Sequence, residues 1–207
     1  MSDIIKILKI LSKEQGKTML AKLKKKHTSF QILISTILSA RAKDETTEVI
    51  SKKLFQKYST PKRLADANLL DIKKIIKPIG FYNNKAKNIK NTAKKILKNK
   101  KKVPEDMKEL LKLDGVGRKV ASCVLVYAFN KSAIPVDTHV HKIANRLGWV
   151  KTNNPLQTER ELEKIVPKKY HILLNDVFVN HGKTICLSSK HPKCDICKIN
   201  KYCKKII

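Results

Sequence analysis

Four of the chain's five cysteines fall within its last 22 residues, as Cys186, Cys194, Cys197 and Cys203, separated by seven, two and five residues. In a reducing compartment, thiols clustered this tightly read as metal ligands, because disulfides rarely persist there. A zinc ribbon carries two Cys-x2-Cys knuckles; this chain has one, flanked by two single cysteines. Spacing alone therefore leaves a zinc ion and a [4Fe–4S] cluster both open. The fifth, Cys123, sits in the apolar run Val120–Tyr127 and reads as an inert core thiol.

A second constellation is Gly115-Val116-Gly117, followed at once by Arg118 and Lys119. Glycines at a turn that opens a helix let the backbone approach a ligand, and the first amides of the helix form an anion site. A nucleic-acid phosphate is the natural occupant, a contact that positions a duplex without reading its sequence. The bland alternative is a plain helix–turn–helix corner. Eighteen residues after Lys119, Asp137 stands behind Pro135 at another helix start, where capping the helix is its ordinary role. His139 follows as a phosphate contact or, equally, a structural histidine.

Several short elements must position these groups, and the pattern is helical nearly throughout. Apolar positions at helical spacing mark helices from Asp3, from Ser29, from Asp44, from Pro61 behind Thr60, from Asn68, and from Tyr82 to Leu97. Further helices open at Pro104, after Gly117, at Asp137, after Asn154, and from Lys168 to His181. Ala133–Val136 is the only short strand candidate. The stretch Ile76–Gly80 echoes Leu111–Gly115, each a turn between two helices.

Of 207 residues, 46 are Lys or Arg and 17 are Asp or Glu, a net charge of +29. Such self-repulsion points to a polyanionic partner: nucleic acid first, an anionic membrane surface or RNA–protein assembly second. The longest stretch without a formal charge, His27–Ala40, is fourteen residues, too short for the roughly 20 of a membrane span. The N-terminus has no apolar signal region, so the expectation is a protein that is not secreted and is cytoplasmic (nucleoid-associated) or nuclear.

Three blocks together resemble the endonuclease III family of helix–hairpin–helix DNA glycosylases: Leu113–Ala121, Val136–Val140 with its aspartate, and the four terminal cysteines. Ile37–Asp44 and Ile79–Ala86 extend the likeness over roughly residues 20–205. The resemblance implies an all-α, two-lobed helix–hairpin–helix DNA glycosylase fold with a C-terminal iron–sulfur loop. Residues 22–132 would form a six-helix lobe with the hairpin; 1–21 and 133–207 would form the second lobe, with the cluster loop at 186–203.

The implied activity is bifunctional: base excision from damaged DNA, then strand cleavage at the abasic site. Lys119 would attack C1′, form a Schiff base and permit β-elimination. The positive end of the helix dipole, Arg118 and partial burial all disfavour its ammonium form, which frees some amine to react. Asp137 would stabilise the oxocarbenium-like sugar. Arg41 and Phe81 would fill the gap left by an everted nucleotide, where much of the family has Gln and Leu. Gly115, Val116, Gly117, Arg118, His139, Lys190 and Lys193 would touch DNA. Cys186, Cys194, Cys197 and Cys203 would hold a [4Fe–4S] cluster, with one residue more between the first two than the family typically has. The lysine favours oxidised pyrimidines, since adenine-mismatch relatives generally lack it. The expected partner is double-stranded DNA with damaged bases or abasic sites, bound by a monomer without membrane association. The alternatives are a G·T/G·U mismatch glycosylase and a non-catalytic nucleic-acid-binding protein with structural zinc.

Overall fold

The structure is a computed structural model that describes residues 3–14, 18–23, 27–99, 102–188 and 191–206. Every regular element among them is a helix or a single 3₁₀ turn. The chain forms two compact units, Met19–Lys131 and the pair Met1–Thr18 with Ser132–Ile207. No helix among the described residues is long and apolar enough to cross a membrane.

In the unit Met19–Lys131, helices α3 (Ser29–Ser39) and α9 (Arg118–Phe129) bury nearly all their side chains, Ile32–Leu38 and Val120–Tyr127. A helix apolar on all sides belongs at the centre, and these two pack on each other there. Thr28 fixes the start of α3 through a capping box: its hydroxyl accepts from Gln31 N, while Gln31 Oε1 accepts from Thr28 N. Around this pair lie α2 (Met19–Leu23), α4 (Asp44–Lys57), α5 (Pro61–Asp66), α6 (Leu69–Ile76), α7 (Tyr82–Lys98) and α8 (Met107–Leu110). The short α2 and α8 bring the described segments of this unit to eight, where the resemblance implies six. α7 is amphipathic, with Ala86, Ile89, Ala93 and Ile96 buried and Lys87, Lys94 and Lys95 exposed. The helix expected to open at Pro104 starts at Met107 instead. Asp106 Oδ1 accepts from Glu109 N at 2.8 Å, and this side-chain cap outweighs the proline signal.

In the other unit, α1 (Asp3–Glu14), α10 (Thr138–Arg146), α11 (Pro155–Ile165) and α12 (His171–Thr184) enclose a core that includes Leu8, Leu11, Val140, Ile143, Leu174 and Phe178. The strand candidate Ala133–Val136 is buried but pairs with no strand. Side chains of the last long helix hold it instead. Asn175 Nδ2 donates to Pro135 O at 2.7 Å, and Ser132 Oγ meets His171 Nδ1 at 2.8 Å. A run with no strand beside it satisfies its polar groups in this way. That last helix begins with a 3₁₀ turn at Lys168–Tyr170 and becomes α-helical only at His171.

Candidate active site

Lys119 is the second residue of α9, half-buried, on a helix whose next eight side chains are buried. The turn before it is latched to α7. Thr92 Oγ1 donates to Asp114 O at 2.9 Å, Lys95 Nζ lies 2.7 Å from Asp114 Oδ2, and the same ammonium donates to Lys112 O at 2.8 Å. The two glycines have different jobs. Gly115 has φ +75, and a Cβ there would press on the Asn88 side chain at about 3 Å. Gly117 is the helix cap, with φ −89 and ψ 178, and a Cβ there would meet nothing within 4 Å. Thus Gly115 serves the turn, while the space beside Gly117, at the start of α9, is open. Val116, expected at the DNA surface, is buried, and its amide closes the turn on Leu113 O at 3.2 Å. Its side chain therefore anchors the hairpin. Arg118 is exposed.

Arg41 and Phe81 meet on the same unit. Ser39–Ala42 is a type II turn, with Ala40 at φ −57 and ψ 118, Arg41 at φ +54 and Ala42 N donating to Ser39 O at 3.1 Å. Phe81 caps α7 with φ +59 and is 62% exposed, so core packing does not explain it. The Arg41 guanidinium carbon stands 6.0 Å from the centre of the Phe81 ring. Two neighbouring non-glycine residues in left-handed conformation cost about 1–2 kcal/mol each. Strain of this kind gathers at functional sites. Lys85, one turn into α7, is 6% exposed; its Nζ donates to Leu38 O at 2.8 Å and Ala40 O at 2.6 Å. Burial pushes its ammonium down from 10.5 to about 8. Sequence reasoning missed this residue, one lysine among nine between Asn83 and Lys102. Its place four residues after Phe81 is the one signal of it.

Asp137 caps α10, and both cap bonds go to one oxygen: His139 N and Val140 N donate to Oδ1 at 2.9 and 3.0 Å. Helix capping therefore leaves Oδ2 for other work. His139 packs its ring against Gly182 of α12, and its Nδ1 lies 3.4 Å from Ser188 Oγ.

The four clustered cysteines line one cavity with Ile143, Leu147 and Ile199. All four are free thiols. Arg146, buried within α10, donates from Nη1 to Leu187 O at 2.7 Å and to Cys186 Sγ at 3.3 Å; its carbonyl lies 3.4 Å from Cys203 Sγ. The buried His181 brings Nε2 to 3.6 Å from Cys197 Sγ. These polar partners were also missed; an arginine inside the apolar spacing of α10 was their sign. Burial pushes the Cys197 and Cys203 thiols up, so deprotonating them at neutral pH requires positive charge among the sulfurs. Among the described residues, no three Cys, His, Asp or Glu side chains converge closely enough to chelate one ion. Four cysteines around one cavity are a donor set that fits a thiolate-bound inorganic group. Lys193 is exposed on this loop, and Lys190 lies outside the described residues.

Residues 34–168 match the profile of the HhH-GPD superfamily of base excision DNA repair proteins. An endonuclease III from Thermotoga maritima is 46% identical over 176 residues, 84% of this chain and 82% of that protein. A solved non-covalent endonuclease III–DNA complex is similar with a TM-score of 0.87 and 32% identity, over 98% of this chain and 94% of that one. A trapped covalent endonuclease III–DNA intermediate, an estranged-adenine complex, is similar with a TM-score of 0.81 and 33% identity, over 90% and 91%.

Proposed function

Because the chain belongs to the endonuclease III family of the HhH-GPD superfamily of base excision DNA repair proteins, we propose that Lys119 and Asp137 carry out its chemistry. The enzyme is a bifunctional DNA glycosylase and abasic-site lyase. The observation that carries the assignment of Lys119 is its position: half-buried, directly behind the Gly115–Gly117 turn, at the start of a buried helix.

The Lys119 amine, in its unprotonated form, forms a bond to C1′ as the bond from C1′ to the base breaks. The base leaves with that electron pair and takes up a proton. The sugar carries cationic character while the two bonds exchange, and Asp137 Oδ2, unused by the cap, supplies the compensating charge. Ring opening gives an imine between Lys119 and C1′. Loss of a proton from C2′ then expels the 3′ phosphate and nicks the strand. Arg41 and Phe81 fill the stack that the everted nucleotide vacates, supported by the exposure of Phe81 and its contact with Arg41. The open space at Gly117 admits a backbone phosphate, and Arg118 is a further contact on that unit. His139 and Lys193 are separate DNA contacts of the other unit.

Cys186, Cys194, Cys197 and Cys203 hold a [4Fe–4S] cluster, supported by the common cavity that all four line. A bound cluster would tie the loop together, and no step of the reaction passes through it. The substrate is double-stranded DNA bearing oxidised pyrimidines such as thymine glycol, or abasic sites.

Borohydride trapping on duplexes with thymine glycol, an abasic site or a G·T mismatch tests this reading. The expected result is a covalent adduct on the first two, abolished in Lys119→Ala. No adduct on any substrate would overturn the assignment of Lys119. An adduct on the G·T duplex in preference to thymine glycol would overturn the substrate.

A further inference from the structure

We propose that Lys85 is a positioning residue, whose ammonium sets Arg41 in its left-handed pose against the Phe81 ring by holding the carbonyl immediately before Arg41. The proposal rests on the reading above that Arg41 and Phe81 enter the DNA stack. A bond of its side chain carries it: Nζ donates to Ala40 O at 2.6 Å, the carbonyl immediately before Arg41. Its backbone N–H makes the ordinary first helical bond of α7, to Phe81 O at 3.0 Å, which places Lys85 one turn from Phe81. A third bond, to Leu38 O at 2.8 Å, anchors the same amine to the end of α3.

The bond to Ala40 has a specific consequence. Type I and type II turns differ by a flip of their central peptide, and here that peptide joins Ala40 to Arg41. A type II turn needs positive φ at its third residue, a position that favours glycine or asparagine. Arginine occupies it at φ +54. Left alone, the turn would relax to type I, return Arg41 to negative φ and swing the guanidinium off the Phe81 ring. The Lys85 ammonium holds the Ala40 carbonyl in the type II orientation. Gly80 passes close beside this turn, where a Cβ would lie 3.5 Å from Arg41 O.

The test separates steps that need insertion into the stack from those that do not. Base excision is measured on a thymine glycol duplex with 2-aminopurine opposite the lesion, and lyase activity on a single-stranded abasic oligonucleotide. Lys85→Met should lose about 10- to 100-fold in duplex excision, the scale of a small misplacement at a reacting centre. It should also lose the 2-aminopurine signal and keep its single-strand lyase activity within about 2-fold. Lys85→Gln, able to hold one carbonyl, should fall between, and serves as the test variant if the methionine variant does not fold. In an Arg41→Ala background, Lys85→Met should add little, since the two act as one unit. Unchanged duplex excision in Lys85→Met, an equal loss on both substrates, or a full additional loss in the Arg41→Ala background would each overturn the proposal. If Arg41→Ala and Phe81→Ala themselves excise at the wild-type rate, the insertion reading fails. If they are impaired while Lys85→Met is not, only the role of Lys85 fails.

Discussion

Single side chains here separate stability from chemistry. Gly115 and Gly117 look interchangeable in the sequence, yet one has φ +75 against Asn88 and the other faces open space at an ordinary φ. Gly115→Ala should therefore destabilise the protein by about 1–3 kcal/mol, read as a lower urea midpoint. Gly117→Ala should cost less than about 1 kcal/mol, because alanine is compatible with that backbone, while its methyl group stands where a phosphate approaches. Its expected signature is an unchanged midpoint with weaker binding to undamaged duplex. Asp137→Asn keeps an oxygen for the cap, so α10 should hold, while base excision should fall about 10²- to 10³-fold with the lost charge. Lys85 makes stability depend on pH. Its folded-state value near 8 lies below the ordinary 10.5, so the unfolded chain binds more protons between those values. Stability should rise with pH through that window, and Lys85→Met should remove the rise. The sequence carried the motif residues because their types are rare or tightly spaced. It hid Lys85, whose role depends on burial rather than on type.

Helices were legible wherever periodicity and caps agreed. α3, α9 and α10 stand where apolar spacing puts them, and Asn68, Thr60 and Asn154 cap as their types demand. Misreadings came where two start signals competed, as at Pro104 against Asp106, or where a buried run borrowed its hydrogen bonds from another element, as at Ala133–Val136. The cysteine loop adds an expectation at this scale. With the proposed cluster bound, the purified protein should be yellow-brown and contain iron, and Cys197→Ser should lose both and melt at a lower temperature. Cys123→Ala, deep in α9, should leave colour and iron content as they are. Iron and sulfide analysis with visible spectroscopy distinguishes the two.

For the molecule as a whole, a net charge of +29 makes DNA affinity strongly dependent on salt. Anisotropy titrations of undamaged duplex should give a log–log slope of about −5 or steeper; one shallower than about −3 would mean that few of these lysines meet phosphate. Chain connectivity has a separate effect, during synthesis. The unit Met19–Lys131 is one continuous segment, whereas α1 packs on α12, whose first residue comes 157 positions after the last of α1. At ~5–20 residues per second, a ribosome delivers that partner roughly 8–30 s late. For that interval the helix bearing Ile7, Leu8 and Leu11 lacks its α12 partner, so the nascent chain offers chaperones a sticky apolar face while the continuous unit is already able to fold.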